Sequence, residues 1–136
     1  MWLSLCEAMA GQSEDSRTHA LLSLRLNPRD AWIGVAHVAL ALVSFNARDY
    51  AEAARLTDLA IQSEPAVPLR RAIVIACCAQ MGDKTRAERE ISVLNGFSPG
   101  FLGSLFRGDF QVFRRSEDMA HPLDSLRLAG VAETAA

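Results

Sequence analysis

Residues 49–65, DYAEAARLTDLAIQSEP, and residues 83–99, DKTRAEREISVLNGFSP, carry the same three landmarks: Asp49, Ala53 and Pro65 recur as Asp83, Ala87 and Pro99, each 34 positions on. In the first stretch Ala53, Leu56 and Ala60 follow the i, i+3, i+7 spacing of one helix face, while Glu52, Arg55, Asp58 and Gln62 make a polar stripe. One face of this helix therefore packs and the other is solvated. Asp49 stands at the N-cap with Glu52 three residues later, a pairing in which the carboxylate accepts from a free amide and the glutamate reaches back. Pro65 cannot continue the helix, and Pro68 has the backbone angle suited to the first turn of the next one.

Working outward, the second copy predicts a helix over 68–81, a break at Gly82 and Asp83, and a helix carrying Ala87, Ile91 and Leu94 at i, i+4, i+7. The two copies span 31–98, and their short connections force neighbouring helices to lie antiparallel. Residues 1–30 read as a partial repeat. Gly11 marks its break, Ser13 is the expected cap with Glu14 and Asp15 in the first turn, and Asn27-Pro28 ends the helix. The 37-residue spacing from Pro28 to Pro65 predicts a first helix longer by nearly one turn. Residues 99–130 are expected to form short capping helices over the open end of the stack, as solenoids require, and 131–136 a disordered tail. The fold class expected is all-α, with antiparallel helix pairs stacked as a short right-handed solenoid.

The chain has 136 residues, half of them hydrophobic and 22% charged, the balance of one folded domain. A net charge of −2 supplies no positive field for a phosphate backbone or an anionic membrane, so neither nucleic acid nor membrane is an expected partner. The longest apolar run, 31–45, falls short of the roughly 20 residues of a membrane span. Ahead of Trp2, Leu3 and Leu5 there is no Lys or Arg, and Glu7 interrupts them, so no targeting segment is read. Cys6, Cys77 and Cys78 offer neither a ready disulfide nor metal-ligand spacing, which fits a reducing, cytoplasmic setting.

A 34-residue helix-turn-helix ending in proline, with alanine early in its second helix, resembles the tetratricopeptide repeat. The likeness rests on Leu40-Ala41, Ala53 and Pro65 in one unit and on Val74, Ala87, Ile91 and Pro99 in the next. The sequence departs from that pattern at Ile75, where a small residue is usual, and at Ser44 and Cys78, where the family has an aromatic. A narrower likeness, carried by 26–30, 97–101 and 125–131 together with the repeats, is to the C-terminal tetratricopeptide region of bacterial class III adenylate/guanylate cyclase-like multidomain proteins. That resemblance implies a regulatory or structural segment, with catalysis or DNA binding residing in a separate N-terminal domain.

No side-chain constellation points to catalysis. His19, His37 and His121 are remote from one another and lack metal-ligand spacing, and His37 is expected to be a packed, hydrogen-bonded helix histidine. Cys77 and Cys78 lie in an apolar helix, where thiols serve as small hydrophobes. The doublets Arg70-Arg71 and Arg114-Arg115 are expected at solvated helix ends. Neither a phosphate loop nor a serine elbow is present. No catalytic residue, cofactor or metal is therefore expected, and the chain is not read as an enzyme.

What remains is surface. In tetratricopeptide solenoids the first helix of each pair lines a concave groove, and the register transfers that role to Val35, Val38, Leu42 and Phe45 in one unit and to Leu69, Ala72, Ala76 and Gln80 in the next. Val38 and Leu42 stand where carboxylate-gripping family members carry Lys and Asn, so that activity does not carry over. A hydrophobic helix, an extended segment or the chain's own tail suits this groove; the alternative is that these residues pack on a neighbouring repeat. The expected function is a non-catalytic module binding a protein, a peptide or another domain of a larger chain. The apolar stripe of Trp2, Leu3, Leu5 and Met9 adds possible self-association through the N-terminal end.

Overall fold

The computed structural model describes residues 1–131, and every regular element among them is helical. Three helix pairs follow one another: α1 (Trp2–Met9) with α2 (Ser13–Leu26), α3 (Ile33–Asn46) with α4 (Tyr50–Ser63), and α5 (Pro68–Met81) with α6 (Lys84–Phe97). Consecutive helices pack on one another throughout, and α1 also lies against α3. The last segment holds α7 (Phe101–Arg107), a 3-10 turn at Ser116–Met119 and α8 (Ala120–Leu128). Among the described residues no helix is long and apolar enough to cross a membrane.

The local chemistry follows the repeat. Asp49 and Asp83 each cap a helix, accepting from the amides of Glu52 (3.4 Å) and Arg86 (3.2 Å). Pro68 opens α5 at its first turn, where its missing amide costs no hydrogen bond. Each pair turns on a residue in left-handed backbone: Gly11 (φ +82°), Arg48 (φ +65°) and Gly82 (φ +77°). Counted from these, the small residues that let the helices of a pair approach are Ser16, Ala53 and Ala87, all at most 1% exposed.

Four details differ from the sequence reading. Ser13 is not the cap of α2; Gln12 is, and its side chain makes no capping bond. Glu52 does not reach back to Asp49 but turns outward to Arg55, whose Nε donates to it at 2.8 Å. The three extra residues of the first unit do not lengthen a helix, for α3 and α5 both have 14 residues. They widen the loops, chiefly 27–32, where Asp30 accepts from Asn27 Nδ2 (3.0 Å) and from the Trp32 amide (2.7 Å). Fourth, Val131 does not belong to a disordered tail: its side chain is buried and its amide donates to Leu126 O at 3.1 Å. Residues 132–136, the rest of that tail, lie outside the described residues.

The segment after Pro99 is also placed differently. Instead of lying over the outer face of α6, where Val93 and Phe97 stay exposed, it turns back across the stack. Here α8 packs on α5, and the Arg114 amide donates to Met9 O of α1 at 2.7 Å. The reason is apolar content: Leu102, Leu105, Val112, Phe113, Met119 and Leu126 are all buried. An outer face studded with Arg89, Ser92 and Asn95 offers little to cover them.

Candidate partner-binding surface

The eight groove positions lie on α3 and α5 as the register requires. Val35, Val38, Leu42, Phe45, Ala72 and Ala76 are buried, however, and only Leu69 and Gln80 are half-buried. The distal half of the groove is not open. Leu42, Phe45, Leu69, Ala72, Ile73 and Ala76 close on Leu105, Val112, Phe113, Pro122 and Leu126, leaving a cavity of about 30 Å³, room for little more than one water. The occupant is the chain's own tail. Polar contacts at the edge pin it: Gln80 Nε2 donates to Ser125 Oγ (2.7 Å), which in turn donates to His121 O within α8 (2.9 Å). The His121 ring lies 4.7 Å from that of Phe45, and its Nε2 is 2.9 Å from Tyr50 Oη. Burial, followed by the nearby Arg48 charge, holds the His121 pKa below the usual histidine value.

The tail does not reach the proximal half. There Val35, Val38 and Leu69 meet Trp2, Leu5, Trp32 and Val67 around a cleft of about 150 Å³, which Glu64 and Arg70 also line. The rings of Trp2 and Trp32 are 6.0 Å apart and tilted by 54°, and both side chains are more than half exposed. On the far side of the pair a second cleft is lined by Met1, Trp2, Ser23, Leu26, Asn27, Asp30 and Trp32. With Leu3 at 59% and Leu26 at 75% exposure, the apolar surface of the molecule concentrates at this end, the kind of patch that marks interaction sites. The N-terminal stripe hinted at it. The contribution of Trp32 and Leu26 was hidden, because both belong to the widened loop and its flank.

Other candidate residues have structural roles. Cys77 and Cys78 are fully buried and burial raises both thiols, Cys77 to about 12, so neither forms a thiolate near neutral pH. Arg70 is not at a solvated helix end. It is 5% exposed, and its Nη1 donates to Ala60 O (2.6 Å) and Glu64 O (3.3 Å), closing the C-terminus of α4. Gly34 makes room for it, since a Cβ there would meet Arg70 Nη1 at 2.9 Å. Arg71 Nη1 donates to the buried Glu90 at 2.8 Å, joining α5 to α6. Arg114 and Arg115 are exposed as expected, and Arg115 pairs with Asp118 at 3.0 Å.

His37 packs on α3 but is not hydrogen-bonded through its buried atom, because Nδ1 has no partner. Burial first, then the charges of Arg55 and Arg70, lower its pKa and so favour the neutral ring. His19 lies elsewhere, 2.6 Å from Glu7 and tying α2 to α1. The three histidines thus stay apart, and among the described residues no group of three or more His, Cys, Asp or Glu could hold a metal ion. Compared with known proteins, the chain matches no family model, no curated protein and no solved structure.

Proposed function

We propose that this chain is a non-catalytic helical-repeat module that binds another protein, or another domain of a larger polypeptide, through the end formed by α1, α2 and the 27–32 loop. The observation that carries the reading is the contrast within one concave surface. Its distal half is filled by Phe113 and Leu126 of the chain's own tail, while Trp2 and Trp32, which line its proximal half, remain more than half exposed. Paired tryptophans with apolar neighbours supply large, stiff contact area, the composition of interface hot spots.

The test is partner capture by immobilised chain. Leu3→Glu and Trp32→Glu should each abolish capture while leaving the helical spectrum intact, because both side chains project into water. Leu128→Glu, equally exposed but on α8, should leave it unchanged. Capture that survives both N-terminal substitutions in folded protein overturns the assignment of the surface.

A further inference from the structure

The left-handed residues Gly11, Arg48 and Gly82 set a common register for the three pairs. Eight positions before them stand Leu3, Leu40 and Val74; nine before, Trp2, Ala39 and Ile73; five before, Cys6, Val43 and Cys77. In the second and third pairs the first two of these positions are at most 6% exposed, whereas Trp2 is 56% and Leu3 59% exposed. The third position runs the same way: Cys77 is buried, Val43 half-buried and Cys6 exposed.

What covers Leu40 and Val74, the equivalents of Leu3, is the second helix of the preceding pair, while Ile73, the equivalent of Trp2, also meets the tail. Val74 packs in one buried cluster with Ile61 of α4, and Leu40 shares a cleft with Leu24 of α2. Leu24 and Ile61 are themselves equivalent, each thirteen residues after its left-handed turn. The contact that α2 makes on α3 and α4 makes on α5 thus has a ready-made continuation on α1. Among the described residues no helix supplies it.

From this continuity, and resting on the function proposed above, we infer that the face of α1 bearing Trp2, Leu3 and Cys6 receives an amphipathic helix of a partner protein, antiparallel to α1, with an aliphatic side chain seated over Leu3. A second copy of this chain is a poor source. Its unpaired second helix is α6, and there the residue equivalent to Leu24 and Ile61 is Asn95, whose amide would lose its water against an apolar face without a replacement hydrogen bond.

The chain carries its own reporters. Its two tryptophans, Trp2 and Trp32, both stand at this end, and Cys6 is exposed while Cys77 and Cys78 are buried. The probe is a stapled helical peptide with the sequence of residues 49–65, which places Ile61 where the site requires an aliphatic. For weak binding in trans the same helix is supplied in cis, by repeating residues 31–71 ahead of Met1, which extends α1 in the register of α5. Docking should shift tryptophan emission to the blue and slow alkylation of Cys6 several-fold, in peptide or tandem form. Ile61→Asn in the added helix, or Leu3→Asp in the host, should remove both effects.

The inference is overturned when neither form protects Cys6, when the Ile61→Asn helix protects as well as the parent, or when unmodified chain alone protects Cys6 increasingly with concentration, which identifies a second copy as the occupant. The function proposed above fails separately. It falls when partner capture is indifferent to Leu3→Glu and Trp32→Glu, whatever the added helix does.

Discussion

The two halves of the concave surface are built from the same pair of helices, yet one is core and the other is surface. At the distal half, Phe45, Ala72 and Ala76 are at most 4% exposed because Phe113 and Leu126 lie on them. At the proximal half, Val35 and Val38 are as deeply buried, but the residues that shelter them, Trp2 and Trp32, are themselves half in water. Residue type does not separate the halves, since both are apolar. The difference lies in how many layers stand between the groove floor and solvent. Burial of a groove residue therefore says little about whether the surface above it is available.

That contrast can be broken by mutation, and the largest effect belongs to the filled half. Phe113, 1% exposed, should cost about 3–5 kcal/mol when replaced by alanine, the range for a buried aromatic. Chemical denaturation measures it, and a loss below about 1 kcal/mol would show that the tail is not an integral layer. Next in size is the close approach of α3 and α4. Ala53→Leu forces extra methylenes between α3 and α4, where Ala53 is 0% exposed, and should destabilise by roughly 1–3 kcal/mol; unaltered melting would break the register argued above.

Acidification gives a smaller effect with a definite sign. His37 and His121 both have folded pKa values below the ordinary 6.5, so between the two values the unfolded chain binds more protons. Their contribution to stability is complete above pH 6.5 and is lost as pH falls toward the folded values. Unfolding free energy measured from pH 7.5 downward should decline through this window, and a His37→Gln, His121→Gln double variant should decline less. The smallest effect belongs to the open half: Trp32→Ala, at 53% exposure, should shift stability by no more than about 0.5 kcal/mol. A loss comparable to that of Phe113 would mean that the two halves are equivalent after all.

Much of this architecture was legible in the sequence. Period and punctuation marked α4, α5 and α6, because Asp caps, Pro at a first turn and Gly at a left-handed stop act over three or four residues. The helices that carry the eight groove positions, α3 and α5, were legible for the same reason. What covers them was not, since nothing local tells a helix of Leu and Phe whether its cover will be a partner or residues 101–131 of its own chain. Arg70 shows the same limit: an arginine doublet reads as solvated until the fold brings the carbonyls of Ala60 and Glu64 within its reach. The tail was expected over the open end of the stack, as solenoids require, but α8 packs on α5 instead.

Arg48 carries a consequence of another kind. It adopts at φ +65° the backbone that glycine adopts in the other two pairs, and its Nη1 donates to the carbonyl of Asn46 two residues back, at 3.2 Å. An L-residue there bears a steric penalty of roughly 1–2 kcal/mol, so this turn is held in shape by the helices on either side of it. The three hairpins are therefore kin by conformation and not by letter. Any definition of the unit that insists on glycine at the bend would divide a continuous series at its middle member, while one that asks only for a left-handed residue, followed at once by a helix cap, keeps the series whole.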